Sequence, residues 1–297
     1  GSSSVESALK PTRIVSLGDT FSDVGRTGTR YTVNDGSVNI WSEQLASKFG
    51  LTLTPVSAGG LGFAQAHARV TQAVDLTGGQ APSVTAQVDA LLAGTSLGAG
   101  DLVLINGGVS DIVAEVRAGS PNMKANVQQA GRELGAQVRR LVNAGAKYVA
   151  VVGPYNLGQS RWAVDTGQRQ LLKDMTTAFT DALLVSIVDL SSNVLYVDAA
   201  LYFNLVTASP GAYGLTDEEN PPDLSRTVTP KLACTSVDAG VGIGIGSGQV
   251  NSGLCTTATI TSGVDYSKTL FADPLYFTPV AHRLFGDYAH TKLIERW

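Results

Sequence analysis

The chain is poor in charge, in histidine and in sulfur. Only 15% of its 297 residues are Asp, Glu, Lys or Arg, and 21 cations against 25 anions leave a net charge of −4. So few cations build neither a basic field for nucleic acid nor a polybasic patch for anionic lipid. Nucleic acid is not expected as a partner. No apolar run reaches the roughly 18 residues of a spanning helix, and the first residues lack a signal-peptide pattern. Gly1-Ser2-Ser3-Ser4 reads as a cloning remnant, so 1–10 is set aside as a tail. Cys234 and Cys255 are the only cysteines and form no Cys-x-x-Cys spacing, which argues against a metal cage or dithiol centre. They are either free buried thiols or a disulfide pinning a long loop, and a disulfide implies export to an oxidising compartment. Abundant Gly, Ser and Thr with sparse charge fit a secreted bacterial protein.

What is present is ample apolar content, 43% of the chain, in a regular alternation. Residues 13–17 form a β-branched run that stops at Gly18-Asp19. Further runs at 51–56, 101–105, 148–152 and 194–197 read as strands. Helical spacing of apolar residues occupies 41–49, 84–92 with Ser83 as its cap, 123–144, 166–188 and 278–292. Strands alternating with helices of this length imply right-handed crossovers, a parallel sheet and helices on both faces. The expectation is one α/β domain over 11–297, a three-layer α/β/α sandwich. From about 215 to 270 the periodicity fails, and this excursion, which holds both cysteines, is expected on the sheet edge or over the cleft. Its alternating glycines, Gly240 to Gly248, follow no strand and open no helix, so they read as a flexible loop rather than a phosphate cradle.

Ligands in such sheets sit at the carboxyl ends of the strands, where the first strand runs into Gly18-Asp19-Thr20-Phe21-Ser22-Asp23-Val24-Gly25. This block resembles the GDSL signature of the SGNH hydrolases, with Thr20 in the place of the nucleophilic Ser. The resemblance implies a flavodoxin-like SGNH fold of the secreted bacterial lipase and esterase type. It also implies four blocks converging on one site: a nucleophile, a Gly and an Asn giving oxyanion donors, and an Asp-x-x-His closing the triad. Such a triad needs a base oriented on the hydroxyl and donors already aimed at the oxyanion.

The other blocks are altered at their catalytic positions too. Ala66-His67-Ala68-Arg69-Val70 places His67 where the family has its oxyanion Gly. Gly108-Val109-Ser110-Asp111 places Ser110 where the Asn stands. Phe271-Ala272-Asp273-Pro274-Leu275-Tyr276 keeps Asp273 but puts Tyr276 at the histidine, and a phenol with pKa near 10 is a poor base at neutral pH. The candidate catalytic positions are therefore Thr20, His67, Ser110, Asp273 and Tyr276, with Asp19 and Gly108 as candidate ligand-binding positions and Cys234–Cys255 as the implied disulfide. Asp19 and Asp23 are expected to orient the first loop, Asp111 to cap the helix after it, Arg69 to anchor a loop, and His282 and His290 to lie at the surface of the last helix.

Two functions from different classes follow. One is a diverged protein that keeps an ester-binding cleft without Ser-His-Asp esterase machinery. The other is an enzyme rebuilt around His67 as general base with Thr20 or Ser110, acting by slow hydrolysis, isomerisation, elimination or transfer. Deliberate inactivation of a true lipase or esterase is a third. A small-molecule, lipid or glycan ester is the expected ligand, with no cofactor and no metal, and the oligomeric state is left open.

Overall fold

The computed structural model describes residues 6–216 and 231–297; 1–5 of the tail and 217–230 of the excursion lie outside the described residues. Four strands, β1 (Arg13–Leu17), β2 (Asp101–Asn106), β3 (Tyr148–Val152) and β4 (Val194–Val197), form a parallel sheet in the order β1-β2-β3-β4. The register brings Val15, Val103, Val149 and Val194 into one row across the sheet. β2 and β3 are buried at every residue, which explains why they read as unbroken apolar runs.

Eight helices accompany the sheet among the described residues: α1 (Trp41–Lys48), α2 (Val84–Gly94), α3 (Val109–Ala118), α4 (Met123–Asn143), α5 (Arg161–Thr166), α6 (Arg169–Ser186), α7 (Ala199–Ala208) and α8 (Pro279–Arg296). α1 and α8 pack as one layer, with Gly286 lying against the Trp41 carbonyl, while α2, α3, α4 and α6 pack together as the other. The architecture is α/β/α. Ser83 caps α2 and Thr278 caps α8 through their hydroxyls.

Several local expectations change. Residues 51–56 form no strand: Pro55 has no N–H to give a ladder, and a 3-10 turn at Val56–Ala58 ends the segment. The edge beside β1 is taken instead by the following residues, where the Phe63 N–H donates to the Ser16 carbonyl at 2.8 Å. The helix expected over 166–188 is α6, which starts at Arg169 because Gly167 turns left-handed at φ 64° and closes the short α5 before it. The buried stripe of α8 is Ala281, His282, Phe285, Ala289 and Leu293, whereas Val280, Leu284 and Tyr288 are half-buried. His282 is thus no surface residue: it is 1% exposed, its Nδ1 accepts from the Trp41 N–H at 3.1 Å, and its ring stacks on Phe21.

The excursion has its own small framework. β5 (Val237–Asp238) pairs antiparallel with β6 (Gln249–Val250), so the alternating glycines form the turn of a hairpin. Cys234 and Cys255 are joined in a disulfide. With Val33, Ala233 and Ala272 they make a cluster separate from the main core.

Candidate functional site

The carboxyl end of β1 carries the first group of site residues. Asp19 caps the 3-10 turn Thr20–Ser22, its Oδ1 accepting from the Phe21 N–H at 3.0 Å and from Asn106 Nδ2 at 2.8 Å. Asn106 stands at the end of β2, so this pair ties two strand ends together. Burial pushes the Asp19 carboxyl up to about 6 despite these bonds. Asp23 accepts from the Gly25, Arg26 and Ala66 N–H groups, and so fixes the loop that delivers His67.

His67 has φ 72°, the single non-glycine residue with positive φ among those described. A side chain there costs of order 1–3 kcal/mol and persists only where its surroundings hold it. Its N–H donates to Thr20 Oγ1 at 2.8 Å, and its Nε2 meets the Tyr31 hydroxyl at 3.0 Å. Burial holds the imidazole down at about 4, and holds the Tyr31 phenol up at about 12. The neutral ring therefore accepts from a phenol that keeps its proton. Its Nδ1 is buried without a protein partner.

Ser110 lies in the first turn of α3, buried, with no protein partner for its hydroxyl. Gly108 precedes it at φ 121°, where a Cβ would lie 2.9 Å from the Phe179 ring. Asp111 does not cap α3; it points back across the loop, accepting from Arg69 Nε at 3.0 Å and the Val70 N–H at 2.9 Å. Arg69 is accordingly an anchor of the loop that holds His67.

Asp273 orients no imidazole. Its Oδ1 accepts from the Leu275 and Tyr276 N–H groups, both at 2.8 Å, and its Oδ2 from the Ser252 N–H at 3.0 Å. Burial raises it to about 6. Tyr276 is 2% exposed, and burial drives its phenol well above 10. The Thr20 hydroxyl beside it eases that shift, but no aligned hydrogen bond joins the two. Between Phe21, Asn106, Tyr155 and Tyr276 the free space measures about 10 Å³, room for about one water. Thr20 itself is 2% exposed, and Phe21, Tyr155 and Tyr276 are the aromatic side chains that line this space.

Thr20, His67 and Tyr276 thus come together, with Asp19 and Asp273 holding their loops. Tyr31 and Ser252 complete the site and were not singled out by sequence. Tyr31 sits in a Gly-rich stretch with no periodicity and Ser252 in the excursion, so neither carried a local signal.

No family model matches the chain. A curated relative from Pseudomonas putida, described as an uncharacterized protein in the trpE-trpG intergenic region, is 26% identical over 196 residues, 66% of this chain. The match spans 29% of that relative's length. One solved structure overlays on 96% of this chain and 97% of its own, with TM-score 0.50 and 13% identity. That likeness concerns the fold alone. Another, a mutant acetyl-xylooligosaccharide esterase from Geobacillus Stearmophilus, covers 73% of this chain and 90% of its own at TM-score 0.44 and 14% identity.

Proposed function

We propose that the chain is a secreted SGNH-like protein that holds an ester or acid ligand at the old catalytic position without hydrolysing it through a serine-type triad. The observation that carries this reading is the proton inventory around Thr20. A hydroxyl becomes a nucleophile only when an adjacent base accepts its proton. The Thr20 oxygen accepts the His67 N–H, and its neighbour Tyr276 keeps its own proton. The His67 imidazole is engaged by Tyr31, and the Asp273 carboxylate takes up three backbone N–H groups. Losing triad members costs on the order of 10⁴ to 10⁶ in rate. The disulfide supports export.

Initial rates on short- and medium-chain nitrophenyl esters test this. The expected result is a rate at background for this chain and turnover in the Thr20→Ser/His67→Gly/Ser110→Asn/Tyr276→His revertant.

The left-handed backbone at His67 favours a second reading, a rebuilt site with His67 as base. In that case His67→Ala abolishes turnover of the true substrate; unchanged turnover excludes it.

A further inference from the structure

We propose that the Thr20 site selects its ligand by charge: it takes an uncharged carbonyl compound, an ester rather than the free acid, and turns carboxylates and other anions away. The proposal rests on reading the Thr20 site as a ligand site and narrows that reading to one chemical form. Its test reads entry and charge separately, so the two can fail apart.

Carboxylates surround the site without cations to match them. Asp19 and Asp273 hold its two main loops, and Asp23 fixes the loop that delivers His67. Asp75 adjoins that loop: the Leu76 N–H donates to the His67 carbonyl at 3.0 Å, and the Asp75 carboxylate accepts from Thr77 Oγ1 at 2.7 Å and from the Thr77, Gly79 and Ala81 N–H groups. Asp238 is linked through Asn251, whose Nδ2 donates to it at 3.2 Å while its Oδ1 accepts from the Gly253 N–H at 2.8 Å. Gly253 in turn packs on the Tyr31 ring. Among the described residues none of these five carboxylates forms an ion pair. Asp101, Glu43, Asp111 and Asp189, by contrast, are matched by Arg13, Arg30, Arg69 and Arg139. Arg26 is the cation beside Asp23, and it donates to the Phe63 carbonyl.

The charge is felt where a ligand would enter. Tyr31 and His67, both half-buried, form the rim with ring centroids 5.1 Å apart, and the Tyr31 ring lies 6.1 Å from that of Tyr276. After burial itself, Asp23, Asp273, Asp238 and Asp75 all help the Tyr31 phenol to keep its proton, and Asp75 acts on the His67 imidazole. An anion entering there meets these charges in a partly desolvated space, where Coulomb repulsion is little screened. The free donor of the site is uncharged. Tyr276 is 2% exposed, its hydroxyl has no protein partner, and it lines the space of about 10 Å³ beside Phe21 and Tyr155. An ester carbonyl can accept from that O–H and brings no charge. A carboxylate there would face Asp19, whose buried Oδ2 is unpartnered and whose charge acts on the Tyr276 phenol.

Thiol reagents of opposite charge test this. The native cysteines are joined to each other, so His67→Cys, and Tyr31→Cys as a second reporter, each carry a single free thiol. His290→Cys is the reference, since that half-buried position feels Lys48 and Asp287, one charge of each sign. Each variant is treated at low ionic strength with methyl, trimethylammonioethyl and sulfonatoethyl methanethiosulfonate, and the rates are followed by intact mass. The thiolate attacks the reagent's sulfur, forms a mixed disulfide and releases methanesulfinate. Expected is a cation-to-anion rate ratio at His67→Cys and Tyr31→Cys at least about tenfold above that at His290→Cys, falling about threefold or more when Asp75→Asn and Asp238→Asn are added. Equal ratios at rim and reference overturn the charge selection, as does a rim ratio that Asp75→Asn/Asp238→Asn leaves untouched. Failure of the uncharged methyl reagent to react at either rim position overturns the ligand-site reading itself.

Discussion

The two hydrophobic clusters of the molecule are built on different terms. Around the parallel sheet, side chains from strands and from both helical layers interlock, as where Phe203 of α7 stacks on Phe277 at 4.3 Å and Phe285 at 5.5 Å. Among the described residues, the second cluster buries only Val33, Ala233, Cys234, Cys255 and Ala272 and contains the covalent link between Cys234 and Cys255. The site lies on the seam between them: Thr20, Asn106 and Ser110 stand at the carboxyl ends of β1 and β2, whereas Ser252 reaches Asp273 from the excursion. A region with so small a cluster of its own is stapled as well as packed.

The largest effect should come from the sheet side. Phe203→Ala should cost about 3–5 kcal/mol, read as a shifted denaturation midpoint with unchanged slope; a loss under about 1 kcal/mol would mean that the aromatic stack is not shared by the whole core.

Replacing both cysteines by Ser removes a crosslink over a sequence separation of 21 residues, worth about 3 kcal/mol. Amide exchange should show that loss over 232–260, with β2 and β3 keeping their protection. An equal loss in both regions would erase the distinction.

A smaller change is expected at His67→Gly. It relieves about 1–3 kcal/mol of backbone strain and gives up one hydrogen bond worth about 1 kcal/mol, for a net gain near 1 kcal/mol. The gain should grow in acid. His67 is held near 4 in the fold, against about 6.5 unfolded, so between these values the unfolded chain binds the extra proton and stability falls as pH falls. His282, near 3, acts in the same sense. Asp19 and Asp273, raised to about 6, act oppositely and add stability as pH falls from 6 toward 3.8. Melting curves of chain and variant that stay parallel from pH 7 to 4 would rule out the buried neutral imidazole.

The smallest effect should be at the exposed Arg139–Asp189 pair. Arg139→Ala should leave the denaturation midpoint unchanged within error, since exposed ion pairs are screened by solvent.

How much of this was legible beforehand follows from where each signal lies. The strands at 101–105 and 148–152 and the stripe of α4 announce themselves through burial on both faces or at helical period. Thr20, His67, Ser110 and Tyr276 are candidates through the resemblance alone, which places them next to glycines and aspartates of its motifs. His282 was misplaced because a lone histidine on an amphipathic helix resembles a surface residue until Trp41 and Phe21 are seen around it. Asp111 was misassigned as a cap because its partners, Arg69 and Val70, are some forty residues away. Tyr31 and the turn around Ser252 meet His67 and Asp273 only through tertiary contact, and no local pattern encodes that.

In the proposed function, Thr20 has no base to activate it. Intact mass after incubation with a fluorophosphonate probe tests it most directly. No adduct is expected on this chain, oxidised or reduced, and one adduct per molecule on the fourfold revertant. Stoichiometric labelling of Thr20 in the unaltered chain would contradict it.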